Sequence, residues 1–260
     1  MTIAGSDSSG GAGLQADLHA FADRGVFGLC AVTAVTAQNT TGVAAVHEIP
    51  GPVVARQIDF TVEDIRPNAV KTGMLATPEM IETVAGALRR HALRPYVCDP
   101  VMVAKSGAPL LRPHAVAALR DRLLPLATVI TPNRFEAGVL LGTWDRPIDT
   151  PTAAVDAARA LVNLGCGAAV VKAVPAGENR RVDVVFDGAE AWEMPAARLP
   201  DGQNHGSGCA FAALLAAGLA LGEPLKEAIR QAHRRTHAAI AAAPPLGKGV
   251  HPVNLISGPA

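Results

Sequence analysis

The chain has 260 residues, 49% of them hydrophobic, with 23 basic (Lys plus Arg) and 23 acidic (Asp plus Glu) residues, so it is neutral and long enough to bury a large core. One Tyr, two Trp and no basic run give no electrostatic footprint for nucleic acid or anionic lipid. No uncharged run approaches the roughly 20 residues of a membrane helix, and the apolar stretch 26–46 is interrupted by Gln38, Asn39 and threonines.

Short β-branched runs alternate with helical spacing along the whole length, the signature of βαβ units around a largely parallel sheet. Residues 2–4 predict a first strand, followed by the glycine cluster Gly10-Gly11-Ala12-Gly13 and a helix with Leu14, Leu18 and Phe21 on one face. Strands are expected at 29–35 and 69–71, then a helix carrying Met80, Val84 and Leu88. Further strands are expected at 96–98, 128–130 and 168–172, with Val155, Ala158 and Leu161 on a helix between the last two. Segments 182–186 and 191–194, joined through Asp187-Gly188, predict an antiparallel hairpin at the sheet edge. Finally His205-Gly206-Ser207-Gly208-Cys209 enters an apolar stretch, 210–221, with Leu214, Leu215, Gly218 and Leu219 at helical spacing. No linker or internal repeat divides the chain, which reads as one α/β domain over residues 1–260.

A glycine loop at a helix N-terminus is an anion site, because the first N–H groups lack intrahelical partners and the helix dipole favours negative charge there. The same field favours a thiolate, so Cys209 is expected to titrate below the ordinary cysteine value and to be the most reactive of Cys30, Cys98, Cys166 and Cys209. The four lie far apart without a CxxC pair, and three sit in apolar runs, which suits reduced thiols and a cytoplasmic location. No basic-then-apolar leader opens the sequence.

In open α/β sheets ligands lie beyond the carboxyl ends of the strands. Here the predicted strands end in Gly5-Ser6-Asp7, Thr36-Ala37-Gln38-Asn39, Lys71-Thr72-Gly73-Met74, Asp99-Pro100, Thr131-Pro132-Asn133 with Glu136 a turn later, and Lys172. Asp99 and Glu136 are hard oxygen ligands suited to Mg²⁺, and Asn133 faces the same way as Glu136, three residues on. Lys172 can neutralise a transferring phosphoryl group while the loop of Gly206, Ser207, Gly208 and Cys209 holds its oxygens. The sequence has no GxxxxGK[ST] and is not a P-loop enzyme. Gln38 offers a carbonyl acceptor and two donors in one plane, which matches an aminopyrimidine edge, and Asp17 can add a second acceptor for the amine. Plain alternatives stand beside these readings: Asp99 as a turn carboxylate, Glu136 as a first-turn acid, Gln38 and Asn39 as turn residues, Cys209 as a small core residue. His205 reads as structural, and His19, His114, His233 and His237 as solvated helix residues; Lys105-Ser106-Gly107 reads as a mobile loop or lid without an assigned role.

The segments 4–17, 35–40, 71–75, 99–107 and 131–137 and the loop 205–209, in this order, resemble the hydroxymethylpyrimidine and phosphomethylpyrimidine kinases of thiamin biosynthesis, a branch of the ribokinase-like superfamily. The resemblance covers almost the entire chain. It implies a ribokinase-like three-layer sandwich, ATP as phosphoryl donor with Mg²⁺, and a small pyrimidine acceptor held by Gln38 and Asp17, with Gly11 and the backbone near Met74 closing the pocket. It further implies that Asn133, Glu136 and Lys172 serve the metal and nucleotide phosphates, and that 206–209 is the anion hole with Cys209 nearest the attacking hydroxyl. Either the thiolate accepts that proton or the hole alone drives transfer. The chain departs from the family where Lys172 is followed by Ala173-Val174-Pro175 instead of two glycines, where 201–204 lacks the usual threonines and lysine, in Ser207 for threonine, and in the tail 246–252. Pyridoxal kinase, a cysteine-dependent hydrolase or acyltransferase, and a non-catalytic pyrimidine-binding protein are the competing readings; a monomer and a homodimer are both compatible with the sequence.

Overall fold

The computed structural model describes residues 1–104, 107, 110–200 and 202–256. Chain order runs β1 (Thr2–Asp7), α1 (Gly13–Asp23), β2 (Cys30–Asn39), β3 (Gly42–Glu48), α2 (Gly51–Asp64), β4 (Val70–Thr72), α3 (Pro78–Arg90), β5 (Tyr96–Cys98), α4 (Ala115–Ala118), β6 (Val129–Ile130), α5 (Arg134–Leu141), α6 (Pro151–Asn163), β7 (Ala169–Pro175), β8 (Arg180–Phe186), β9 (Ala191–Ala197), α7 (Ser207–Ala220) and α8 (Leu225–Ala241). The strands form one sheet in the order β3-β2-β1-β4-β5-β6-β7-β8-β9. From β2 to β7 every pairing is parallel; β3 and the β8–β9 hairpin add antiparallel edges. The expected edge hairpin is therefore present, and the expected three-layer plan with it.

Alternation along the central strands sorts the two helical layers. Tyr96, Cys98, Ile130, Ala169 and Val171 pack with α2, α3, α5 and α6 side chains such as Ile58, Ile81, Leu140 and Leu161. Val97, Val129 and Val170 face the opposite way, onto Phe21 of α1, Phe211 and Leu214 of α7 and Ile229 of α8. Strands buried on both faces read as continuous apolar runs, which is why these short segments were legible. Helix α7 is buried at every position from Ala210 to Gly218, so it is a core helix whose exposed function is concentrated at its N-terminus. Thr77 and Thr150 cap α3 and α6, their hydroxyls accepting from Met80 N and Ala153 N at 3.2 Å, each followed by Pro at the first helical position.

Two strands run further than the sequence predicts. β2 continues to Asn39 because β3 pairs with it antiparallel, Thr36 opposite Val46 and Asn39 opposite Gly42, so Gln38 lies in a strand beside a bulge and not in a turn. β3 escaped notice because its residues are half or fully exposed and carry no apolar alternation. β7 continues to Pro175 with an irregularity between Val171 and Val174, which places Lys172 at a bulge instead of a strand end. The chain leaves β1 for β2 on one side and returns to β4 on the other, and the crevice at this reversal is where the polar strand ends gather.

Candidate active site

A cavity of about 360 Å³ runs along the carboxyl ends of β1, β4, β5 and β7 and over the N-terminus of α7. Ser6, Gln38 and Met74 line one end; Asp99, Lys172 and the loop Gly206 to Cys209 line the middle; Asp183, His233 and Thr236 line the other end. Gly206 is the N-cap of α7 with φ 77°, and a Cβ there would fall 1.9 Å from the carbonyl oxygen of Gly11, so only glycine fits. Ser207 N–H donates to Asn204 O at 3.2 Å, leaving the Gly208 and Cys209 N–H groups as the helix-terminal donors without intrahelical partners. The ammonium of Lys172 lies over this terminus, 3.5 Å from where a Cβ on Gly208 would stand and 5.5 Å from the Phe211 ring centre.

Three charged groups of the predicted cluster meet here. Asp99 is buried; its Oδ1 accepts from Thr131 Oγ1 at 3.2 Å and Lys172 Nζ at 3.4 Å, while Oδ2 is buried without a partner among the described residues. Burial and then the Asp99 carboxylate push Glu136 up to about 7, with Lys172 opposing. One lysine therefore serves two acids, and an orphaned carboxylate oxygen beside a proton-retaining carboxyl is an arrangement short of positive charge. That fits a divalent cation. Among the described residues no cluster of three or more His, Cys, Asp or Glu could hold a metal, so the donor set suits Mg²⁺, which shares one or two carboxylates with waters and phosphates. The plain reading of Glu136 as a first-turn acid holds as well, and Asn133 joins it: Asn133 Oδ1 accepts from Phe135 N and Glu136 N, and Glu136 Oε2 accepts from Asn133 N at 2.8 Å, a full capping box for α5.

At the other end Gln38 Oε1 accepts from Thr36 Oγ1 at 3.2 Å and its backbone exchanges hydrogen bonds with Ser8 Oγ, which leaves the Nε2 donors facing no protein partner among the described residues. Met74 lines the same end.

The structure places two expected acceptor-side residues away from the cavity lining. Asp17 is fully buried under β1 and β4, taking Lys71 Nζ at 2.9 Å on both oxygens and Thr2 Oγ1 at 2.5 Å, so its acceptor capacity is spent on an ion pair. The Asp17 carboxylate holds the Lys71 ammonium above its ordinary value against the opposing effect of burial. Gly11 packs beneath His205, where a Cβ would lie 2.4 Å from Cδ2, and its carbonyl meets Gly206. Both are positions of close packing.

The thiol expectation is also corrected. Burial pushes Cys209 up to about 11, the Asp17 and Asp99 carboxylates adding to it, while Lys71 and the Gly13 N–H pull the other way. Desolvation is the largest influence on this thiol, and the exposed cysteine of the four is Cys30. Burial likewise raises Cys98 to about 11 and Cys166 to about 12.

His205 is structural, as read: Nε2 lies 2.8 Å from Asp7 Oδ2. His233 differs from its solvated expectation, since it lines the cavity and pairs with Asp183 at 2.9 Å; that carboxylate raises its pKa against burial. Lys71, Asp7 and Asp183 were not assigned roles from sequence. Lys71 and Asp17 were findable as opposite charges on otherwise apolar elements, whereas Asp183 and His233 stand 50 residues apart with nothing local to link them. The altered tail threads past Thr40, with Val250 N donating to Thr40 O at 2.9 Å, and then brackets His205, whose N–H donates to His251 O and whose carbonyl accepts from Val253 N. The lid reading of Lys105-Ser106 and the departure at Asp201 fall outside the described residues. Among the described residues no helix is long and apolar enough to cross a membrane.

Comparison with known proteins identifies the family and the fold. A hydroxymethylpyrimidine/phosphomethylpyrimidine kinase of Rhizobium meliloti is 46% identical over 98% of this chain and 95% of its own. The structure of a Bacillus subtilis pyridoxal kinase with ADP superposes with a TM-score of 0.88 at 38% identity, covering 97% of this chain and 95% of that one. A phosphomethylpyrimidine kinase of Clostridium difficile superposes at 0.79 with 36% identity, covering 92% and 96%. The fold is thus that of the ribokinase-like kinases. The phosphomethylpyrimidine kinase family matches residues 7–254, and the chain belongs to it.

Proposed function

We propose that the protein transfers the γ-phosphoryl group of ATP to the hydroxymethyl group of 4-amino-5-hydroxymethyl-2-methylpyrimidine, and then a second phosphoryl group to the resulting monophosphate. The observation that carries this reading is one cavity with a primary amide at one end, its Nε2 donors without a protein partner among the described residues, and an anion-binding helix terminus at its centre. Gln38 presents donors and an acceptor in one plane to the aminopyrimidine edge, and Met74 packs beside the ring. This leaves the hydroxymethyl group above Cys209, with the Gly208 and Cys209 N–H groups and Lys172 Nζ gathered around the transferring phosphoryl oxygens. Asp99 and Glu136 would hold Mg²⁺, which when bound neutralises the phosphate oxygens and the crowded acids. Asn133 fixes α5, and thereby Glu136, at the nucleotide-phosphate side.

Burial disfavours the Cys209 thiolate, and in this reading Cys209 shapes the hole and is not the base. The acceptor oxygen bonds to phosphorus, the bond to the β-phosphate oxygen breaks, and the hydroxyl proton passes late to an oxygen of the transferred group. Cys209→Ala is then expected to lower kcat by less than about tenfold, against the 10²–10⁴-fold of a lost general base; a loss of that larger size, with the thiolate titrating in the kcat profile, would restore the base reading.

The test of function is direct: purified protein with ATP and Mg²⁺ should phosphorylate the pyrimidine and its monophosphate, and absence of transfer to both refutes the proposal. Pyridoxal is the second acceptor to assay, because the Bacillus subtilis neighbour that superposes so well is a pyridoxal kinase. Gln38→Met should lower kcat/KM for the pyrimidine by about tenfold, one hydrogen-bonded contact, without lowering that for pyridoxal.

A further inference from the structure

His205 touches the loop before α1, the start of α7 and the tail without lying among the anion-site donors. It is buried, 5% exposed, directly before the N-cap of α7. Its backbone is held on both sides by the tail, N–H to His251 O at 3.0 Å and carbonyl from Val253 N at 3.1 Å. Its ring reaches Asp7, a carboxylate, so Nε2 carries the proton of the 2.8 Å hydrogen bond. That same Asp7 Oδ2 accepts from Ala12 N at 3.0 Å, at the start of α1, while Oδ1 takes Ser9 N and Ser9 Oγ at 2.9 and 2.8 Å. Burial alone would raise Asp7, but His205 and Ser9 hold it below the usual carboxylate range. Gly11 and Gly206 meet backbone to backbone at the same point.

We infer that His205 and Asp7 are positioning residues for phosphoryl transfer: their hydrogen bond fixes the offset between the N-termini of α1 and α7, so that the Gly208 and Cys209 N–H groups stay aimed at the moving phosphoryl group. The inference rests on the proposed kinase reading. The loop before α7 has a left-handed glycine at its start, and without the ring bond only the tail and the Gly11–Gly206 contact would set where that loop rests. Asp7 and His205 both line the middle of the cavity, so loss of their bond is expected to disturb alignment there before it disturbs ground-state binding at the two ends. A misplacement of about 1 Å at such a point costs on the order of 100-fold in rate.

The experiment compares His205→Ala, His205→Gln, Asp7→Asn and the double variant Asp7→Asn/His205→Ala in steady-state assays. Affinities for ADP and for ADP with tetrafluoroaluminate, a planar mimic of the phosphoryl group in transit, are measured alongside thermal melting. His205→Ala should lower kcat about 10- to 100-fold, with KM for ATP and pyrimidine and the affinity for ADP changed by less than about threefold, and should weaken the tetrafluoroaluminate complex in proportion to kcat. His205→Gln, which returns an N–H near the Nε2 position, should recover most of the loss, and the double variant should be no worse than about twofold below the poorer single one. A kcat within about threefold of wild type for His205→Ala, or a loss shared equally by Gln and following the melting temperature, overturns the inference. Should His205→Ala not fold, Gln and Asp7→Asn decide it by the same kcat-against-affinity split. Wild-type protein that forms the tetrafluoroaluminate complex, weakened by these variants, yet leaves the pyrimidine unphosphorylated would sink the acceptor assignment while supporting the positioning role.

Discussion

Glycine is used differently on the two sides of the cavity. At the seam between the loops before α1 and α7, Gly206 has φ 77° and also has no room for a Cβ, because the Gly11 carbonyl stands 1.9 Å from where one would be. Across the cavity, at the irregularity within β7, the chain again turns left-handed, at Ala173 with φ 60°, but here a Cβ is present and the turn is held by a hydrogen bond from Ala173 N to Asp183 Oδ1 at 2.8 Å. The family usually places glycine there. The contrast separates two demands that both select glycine: conformation, which costs another residue about 1–2 kcal/mol, and contact, which cannot be met by any side chain. The seam makes both demands and the rim only the first, so the rim accepted alanine.

Gly206→Ala tests the seam most severely. It should abolish soluble, folded protein or lower kcat at least about 100-fold, since the hinge must move off Gly11; a variant melting and turning over like wild type would show that the two loops are not pressed together. Next in size is the ion pair beneath the seam. Lys71→Met strands the Asp17 carboxylate in the interior and should cost about 3–5 kcal/mol in denaturant unfolding, whereas Lys71→Met with Asp17→Leu should regain much of it. An equal loss in single and double variants would mean that the pair contributes through shape alone.

Toward the rim, Glu136 makes stability depend on pH in the direction opposite to most carboxylates. Its folded pKa, about 7, exceeds the ordinary 4.5, so between these values the folded state binds the proton more tightly, and stability present below about 4.5 is lost as pH rises to about 7. The melting temperature of metal-free protein should fall over that window, and Glu136→Gln or added Mg²⁺ should flatten the fall. A flat metal-free profile, or one unaffected by Glu136→Gln, would remove this account of the acid cluster. The smallest effect is expected at Ala173→Gly: relief of left-handed strain is offset by the greater freedom of unfolded glycine, so stability should change by no more than about 1 kcal/mol and kcat by less than twofold.

Much of this was legible because polar endings stand out against the apolar runs of the strands, as at Asp99, Lys172 and Gln38, and because the glycines at 206 and 208 stand directly before an apolar helical stretch. Opposing fields hid the rest. For Cys209 the sequence displays the helix terminus that lowers a thiol pKa but not the burial that raises it, and burial wins. For Asp17, a carboxylate one helix from the pocket reads as a ligand until Lys71 is seen to occupy both its oxygens. β3 was missed because an exposed edge strand has no face to bury, yet its pairing draws β2 out to Gln38.

The tail that brackets His205 also orders events in time. A chain leaving the ribosome can build the sheet and dock α7 before residues 247–253 exist outside the exit tunnel, since domains begin folding during synthesis. Gly249 N and Val250 N reach Thr40, and His251 O and Val253 N reach His205, only after α7 and α8 have been made. The nascent enzyme would thus carry its binding groups before it carries their alignment, and the turnstile to full activity is the arrival of residues 247–253.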